Sequence, residues 1–269
     1  MIDWLDIGPG REGCGAPEAG AKAGKIVVNA VHRDSLLADL QSRLAEGRGF
    51  SLATLNLDHL VKLKHDSAFR SAYAHQSHVT ADGNPVVWLL RLAGQKVELI
   101  PGADLVAPVA GLAAQSGAPI ALLGSTEASL AEAAAALQAR FPGLEVVAQI
   151  APPMGFDPEG AGADAAIAEL HAAGARLCFL ALGAPKQEIF AARAAAALPE
   201  TGFLSIGAGL DFLSGSQKRA PRLVRRLALE WAWRLLANPG RLARRYGACF
   251  AILPKAAHHA LQVRRRGTL

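Results

Sequence analysis

The chain has 269 residues, 51% of them hydrophobic, and a formal net charge of +5; that length can bury a substantial core as one large domain, with or without an appendage. Alanine is the commonest apolar residue, no run of about 18 apolar residues occurs, and the N-terminus lacks a basic stretch followed by an apolar one, so neither a spanning helix nor a secretion signal is expected and the chain is assigned to the cytoplasm. Cys14, Cys178 and Cys249 lie far apart without CxxC spacing, which argues against a cysteine zinc site or a disulfide framework and for inert thiols.

Residues 1–25 are glycine-rich and carry Pro9 and Pro17 with little periodicity, the composition of a flexible leader. An α/β domain is expected over 26–215. It opens with a short strand at Ile26–Asn29 and a helix from Ser35 to Glu46, followed by a strand at Phe50–Leu55 and helical spacing from Leu57 to Phe69. His78–Thr80 reads as a strand that breaks at Ala81-Asp82-Gly83-Asn84, with Pro85 in the first turn of a helix to Leu92 and a further helix over Gly102–Gly117. The second half repeats the rhythm: strand Pro119–Leu123, Ser125 as N-cap, helix Thr126–Arg140, strand Leu144–Ile150, a loop, and a helix to His171. Strand Leu177–Leu182, turn Gly183-Ala184-Pro185, helix Lys186–Leu198 and strand Phe203–Ile206 complete it. This alternation predicts a Rossmann-like, largely parallel sheet with helices on both faces and the reactive loops at the carboxyl ends of the strands.

The last segment, 216–269, differs in charge. It holds 13 Lys/Arg against the single acid Glu230, about +12, while residues 1–215 hold 15 bases and 22 acids, about −7. Leu223, Leu227, Trp231 and Leu235 recur at i+4, and Arg222, Arg226 and Arg234 fall on another helical line. A basic amphipathic helical appendage of this kind suits an anionic membrane surface. Packing of the apolar stripe on the core, or nucleic-acid binding by the charge, are the alternatives.

Four strand ends concentrate polar residues: Thr54-Leu55-Asn56, Asp82-Gly83-Asn84, Gly155-Phe156-Asp157 and Gly183 to Glu188. Each has a plain structural reading as cap or turn. The Gly183–Glu188 stretch is the most informative, because proline at N1 leaves the amides of Lys186 and Gln187 at a helix N-terminus, a cradle for a diphosphate with the Lys186 ammonium as countercharge. His59 is a candidate base or a packing residue, Glu188 is expected to bond its own helix N-terminus, Asp157 to order its loop, and Asp211 to face the crevice. No GxxxxGK[ST] occurs, Phe212 stands where a dinucleotide fingerprint needs its third glycine, and no Asp-x-Asp pair is present. No cofactor and no metal site are expected.

Eight stretches together resemble the WecG/TagA/CpsF family of bacterial glycosyltransferases: TLNLDHLVKL (54–63), ADGNPVVWLLRLAG (81–94), PGADLV (101–106), LLGS (122–125), GFDP (155–158), LGAPKQE (182–188), GAGLDFLSG (207–215) and RAP…LEWAWRLLANPGRLARRY in the tail. The resemblance implies inverting, metal-independent transfer of a sugar from a UDP-sugar donor to a polyprenyl-diphosphate-linked acceptor, with the protein peripheral on the inner face of the cell membrane. It implies Asp82 as general base, and Thr54, Asn56 and Gln187 in the pocket. Asn84, Gly124, Lys186 and Asp211 are further substrate-binding candidates, as are Arg219, Arg222 and Arg225, which match an appendage that closes over the site. Family members often carry arginine two residues before the PG pair, where this chain has Leu99. The TLNLDHLVKL wording resembles the branch that adds glucose in exopolysaccharide assembly, an N-acetylmannosaminyl or N-acetylmannosaminuronyl transferase of the same family being the alternative. A nucleotide-sensing membrane adaptor without turnover is the alternative of another class, and a homo-oligomer stays open.

Overall fold

The computed structural model describes residues 26–216, 220, 221, 224, 230–237 and 239–266. Six parallel strands form one sheet: β1 (Phe50–Leu55), β2 (His78–Ala81), β3 (Ile120–Gly124), β4 (Val146–Ile150), β5 (Leu177–Ala181) and β6 (Gly202–Ser205), in the order β2-β1-β6-β5-β3-β4. The register pairs Leu55 with Ala81, Leu52 with Leu204, Cys178 with Phe203 and Leu122 with Phe179. Parallel neighbours need crossovers, and helices supply them.

Both faces of the sheet are covered because side chains alternate along each strand. Leu52, Leu122, Phe179 and Leu204 join one core with α1 (Arg33–Glu46), α5 (Gly102–Ser116), α6 (Glu127–Arg140) and α9 (Gly209–Leu213). On the other face, Ala53, Leu55, Val79 and Ala81 meet α2 (Leu57–Leu63), α3 (Ser67–Ala74) and α4 (Asn84–Leu92). Beside them, Leu123, Cys178, Leu180 and Phe203 meet α7 (Ala161–Ala172) and α8 (Lys186–Ala197). Glycine is required at the end of β3, where Gly124 has φ 112° and an added Cβ would lie 2.5 Å from the Ala181 carbonyl.

Two helices close the described chain, α10 (Glu230–Ala237) and α11 (Pro239–Arg266). Helix α11 packs on α2 and α4, and its Ala256 and Ala260 are buried in the same core as Leu60 and Val86. Part of the basic segment is thus integral to the α/β layers. Residues 1–25 of the expected leader, and 217–219, 222, 223, 225–229, 238 and 267–269 of the expected appendage, Leu223 and Leu227 among them, lie outside the described residues.

Three local expectations are corrected. Ile26–Asn29 forms an isolated bridge at Ile26 instead of a strand. The Asn29 side chain takes over the pairing, its Nδ2 donating to the Ser77 carbonyl at 2.7 Å and its Oδ1 accepting from the Val79 amide at 2.7 Å. The run Leu57–Phe69 is two helices, because Asp66 caps a new start by accepting from the Phe69 amide at 2.9 Å. The cap of α6 is Thr126, whose hydroxyl accepts from the Ser129 amide at 3.2 Å; Ser125 sits before it with φ 57°.

Candidate active site

Parallel strands send their carboxyl ends to one edge, so the loops after β1, β2, β3, β5 and β6 lie along that edge, where such sheets form their binding crevice. On the β1 side, Thr54 is buried one residue from the strand end, and the Gly102 backbone fits against it so closely that a Cβ there would lie 3.2 Å from the Thr54 methyl. Asn56 caps α2, its Oδ1 accepting from the His59 amide at 3.0 Å. Asp82 begins the neighbouring loop; its amide donates to the Leu55 carbonyl at 2.8 Å, which ties it to the turn that carries Asn56. Gly83, with φ 98°, then turns the chain into α4, where half-buried Asn84 is the first residue. The segment before α5 is pinned to β2 through Ile100, whose amide donates to the Ala81 carbonyl at 2.9 Å, and this leaves Leu99 40% exposed.

On the β3 side, the Ser125 hydroxyl donates to Asp211 Oδ1 at 2.6 Å, joining the loop after β3 to α9. Gly124 lies beneath it. Half-buried Lys186 opens α8. Pro185 is the N-cap of α8, not its first residue, and the Gln187 amide donates to the Gly183 carbonyl at 3.1 Å, so that amide is not open at the helix terminus. Arg219, Arg222 and Arg225 lie outside the described residues. The structure therefore brings Thr54, Asn56 and Asp82 together at adjacent strand ends, and joins Ser125 to Asp211.

Behind the crevice lies a buried polar cluster only partly visible in the sequence. Glu188 is fully buried; its Oε1 accepts from Gln187 Nε2 at 2.8 Å, and its own amide bonds its carboxyl. His59 Nδ1 lies 2.7 Å from the Tyr73 hydroxyl and 4.0 Å from Glu188 Oε1. The shorter contact is the hydrogen bond, and the longer one is not an ion pair: burial pushes the His59 imidazole down to about 3 and the Glu188 carboxyl up to about 7, so both resist charging. Tyr73 is raised by its burial and by the charges of Glu188 and Asp82. His59 is thus a buried, neutral packing and hydrogen-bonding residue.

Asp58, Lys62, Tyr73 and Arg245 escaped sequence reasoning. The i,i+4 spacing of Asp58 and Lys62, 2.9 Å apart, was a signal for the first two. Lys62 also donates to the Ala184 carbonyl at 2.9 Å, bracing the turn before α8. Nothing local marked Arg245 as the tail's link to Asp58.

Residues 22–267 match the glycosyl transferase WecG/TagA/CpsF family model, which takes in the whole sheet and α11. The chain belongs to the WecG/TagA/CpsF family and is a glycosyltransferase of cell-surface polysaccharide synthesis, with a nucleotide-sugar donor and a glycan acceptor.

Proposed function

We propose that the protein transfers a hexose-type sugar, with glucose the favoured candidate, from a UDP-sugar to a polyprenyl-diphosphate-linked saccharide at the inner face of the cell membrane, with inversion and without an obligatory metal. The observation that supports this reading is that Asp82 follows the end of β2, held by its amide to the Leu55 carbonyl beside Asn56 and Thr54 at the end of β1. Its carboxylate takes the proton of the acceptor hydroxyl as that oxygen attacks the anomeric carbon. The bond from that carbon to UDP breaks on the opposite side, and its electron pair leaves with the diphosphate. The Lys186 ammonium at the start of α8, with one or more of Arg219, Arg222 and Arg225, receives the developing charge. Asn84, Gly124 and Asp211 belong to the walls of the same crevice.

The surface supports a lipid-linked acceptor. An apolar groove of about 360 Å³ starts at Pro85, three residues after Asp82, and runs between α4 and α11 past Trp88, Leu89, Leu92, Leu253, Pro254 and Ala257. On α10 and α11, Trp231 stacks edge-on against Phe250 with ring centroids 5.2 Å apart, and Trp233 and Leu236 are exposed. Exposed Arg264, Arg265 and Arg266 end α11. No helix among the described residues is long and apolar enough to cross a membrane. Aromatic and basic groups together favour lying on the lipid surface.

The test is UDP release from a panel of UDP-sugars, with and without a polyprenyl-diphosphate saccharide. Transfer from UDP-glucose that needs the acceptor is expected, and Asp82→Asn should lower kcat by about 10²- to 10⁴-fold. A folded Asp82→Asn protein with full activity removes the base assignment; UDP-sugar binding without turnover would instead support a sensing adaptor.

A further inference from the structure

We propose that Gln187 is a positioning residue: with Glu188 it forms a buried bracket that fixes the Gly207 peptide and thereby the turn leading to Asp211, and its carboxamide does not contact substrate. The inference rests on the glycosyltransferase reading of the crevice but reassigns Gln187, for which the family resemblance implies a place in the pocket.

Both ends of the Gln187 carboxamide are already used inside the protein. Its Oε1 accepts from the Gly207 amide at 3.1 Å, its Nε2 donates to Glu188 Oε1 at 2.8 Å, and the residue is 2% exposed. A backbone amide can only donate, so the carbonyl end must face Gly207, and the NH₂ end must then face an acceptor. Glu188 supplies it. The position of Glu188 is fixed in turn, since its backbone carbonyl accepts from Gln76 Nε2 at 3.2 Å.

Gly207 is where this order matters. It has φ 56° and begins the turn between β6 and α9, the helix whose Asp211 accepts from Ser125. The bracket therefore connects α8, the end of β6 and, through α9, the loop after β3. It is maintained at a cost, because Glu188 is fully buried and its Oε2 has no hydrogen-bond partner among the described residues. Glu188 feels His59 and Lys62 on α2 and Tyr73 on α3; Asp82 in turn acts on Tyr73, Asp58 and Arg245 act on His59, and Lys186 is on the same helix as Glu188.

Two variants separate a bracket from a ligand. Gln187→Glu keeps an acceptor toward Gly207 but sets two buried carboxyls against each other, so they need a shared proton. The exchange Gln187→Glu/Glu188→Gln restores the pattern, with the new amide at 188 donating to the carboxylate at 187. The single variant should lose about tenfold in kcat/KM between pH 6 and pH 8. The exchanged pair should stay within about threefold of the wild type across that range. Amide exchange at Gly207 should follow the same order, fast at pH 8 in the single variant and slow in the wild type and the exchanged pair. Glu188→Gln alone, isosteric and neutral, should fold and keep Gly207 protected. An exchanged pair no more active at pH 8 than the single variant, or Gly207 exchange unchanged in the single variant at pH 8, overturns the proposal. If the wild type transfers no sugar from any donor, the functional reading fails, while Gly207 exchange still decides the bracket.

Discussion

Arg245 of α11 reaches Asp58 of α2, with Nη2 and Oδ2 2.9 Å apart. Asp58 stands two residues after Asn56 and shares the same oxygen with Lys62, also at 2.9 Å, so the C-terminal helix is latched to the helix that begins at the crevice. Arg245→Ala should detach this end of α11 without unfolding the sheet. The arginine is 44% exposed, and its pair with Asp58 is discounted for solvent screening to about 1 kcal/mol or less. Hydrogen exchange should quicken in α11 and α2 and stay unchanged in β3 and β5. Uniform acceleration through the sheet would show the latch to be a determinant of global stability.

Ser125 gives a prediction in which the sign of a difference matters. Its φ of 57° favours glycine, and its hydroxyl donates to Asp211 at 2.6 Å. Ser125→Ala loses the bond and keeps the strained backbone. Ser125→Gly loses the bond but relieves the strain. Both variants should weaken the joint to α9, with alanine the less stable by about 1 kcal/mol in urea unfolding. Equal midpoints would mean that the backbone strain at Ser125 is not felt.

The parallel sheet was legible because strands buried on both faces leave continuous apolar runs such as Ile120–Leu123 and Leu177–Leu180, each ending in a turn signal. The position of the candidate site residues was legible on the same ground, since parallel strands bring Asn56 and Asp82 to one edge once their strands are recognised. What failed were features decided by side chains acting as backbone. Ile26–Asn29 has strand composition, yet the Asn29 carboxamide pairs with β2 in place of a continued ladder. The start of α6 falls to Thr126 because Ser125 takes a left-handed conformation that composition does not reveal. Glu188, expected to bond its own helix terminus, does so; its partnership with Gln187 and its burial beside His59 depend on a contact between α8 and α2 that no spacing encodes.

Two buried groups make stability depend on pH in opposite senses. His59 is pushed from 6.5 to about 3 by burial, so the unfolded chain binds a proton that the folded one refuses, and stability falls as pH drops from 6.5 toward 3. Glu188 is pushed from 4.5 to about 7, so the unfolded chain releases a proton that the folded one retains, and stability falls as pH rises from 4.5 to 7. Glu188→Gln should abolish the second loss. Relative to wild type, its unfolding free energy should rise by up to roughly 3 kcal/mol between pH 4.5 and pH 7 and level off above. A constant difference between variant and wild type over that range would show that folding does not change proton binding at Glu188.

The membrane reading is best tested by exposed residues, because truncation would remove Ala256 and Ala260 from the core they share with α4. Leu236 is 82% exposed and Trp233 40%, so replacing both by glutamate removes apolar surface and adds repulsive charge without disturbing the fold. Thermal midpoints should stay within about 2 °C, while binding to anionic vesicles should fall by about tenfold or more. Trp88→Glu, at the α4–α11 groove and 57% exposed, should leave vesicle binding intact and raise KM for the lipid-linked acceptor over a short-chain analogue. Unchanged vesicle binding in the Trp233/Leu236 variant would place the lipid-facing surface elsewhere. Loss of vesicle binding in the Trp88 variant would make the groove part of the general membrane face.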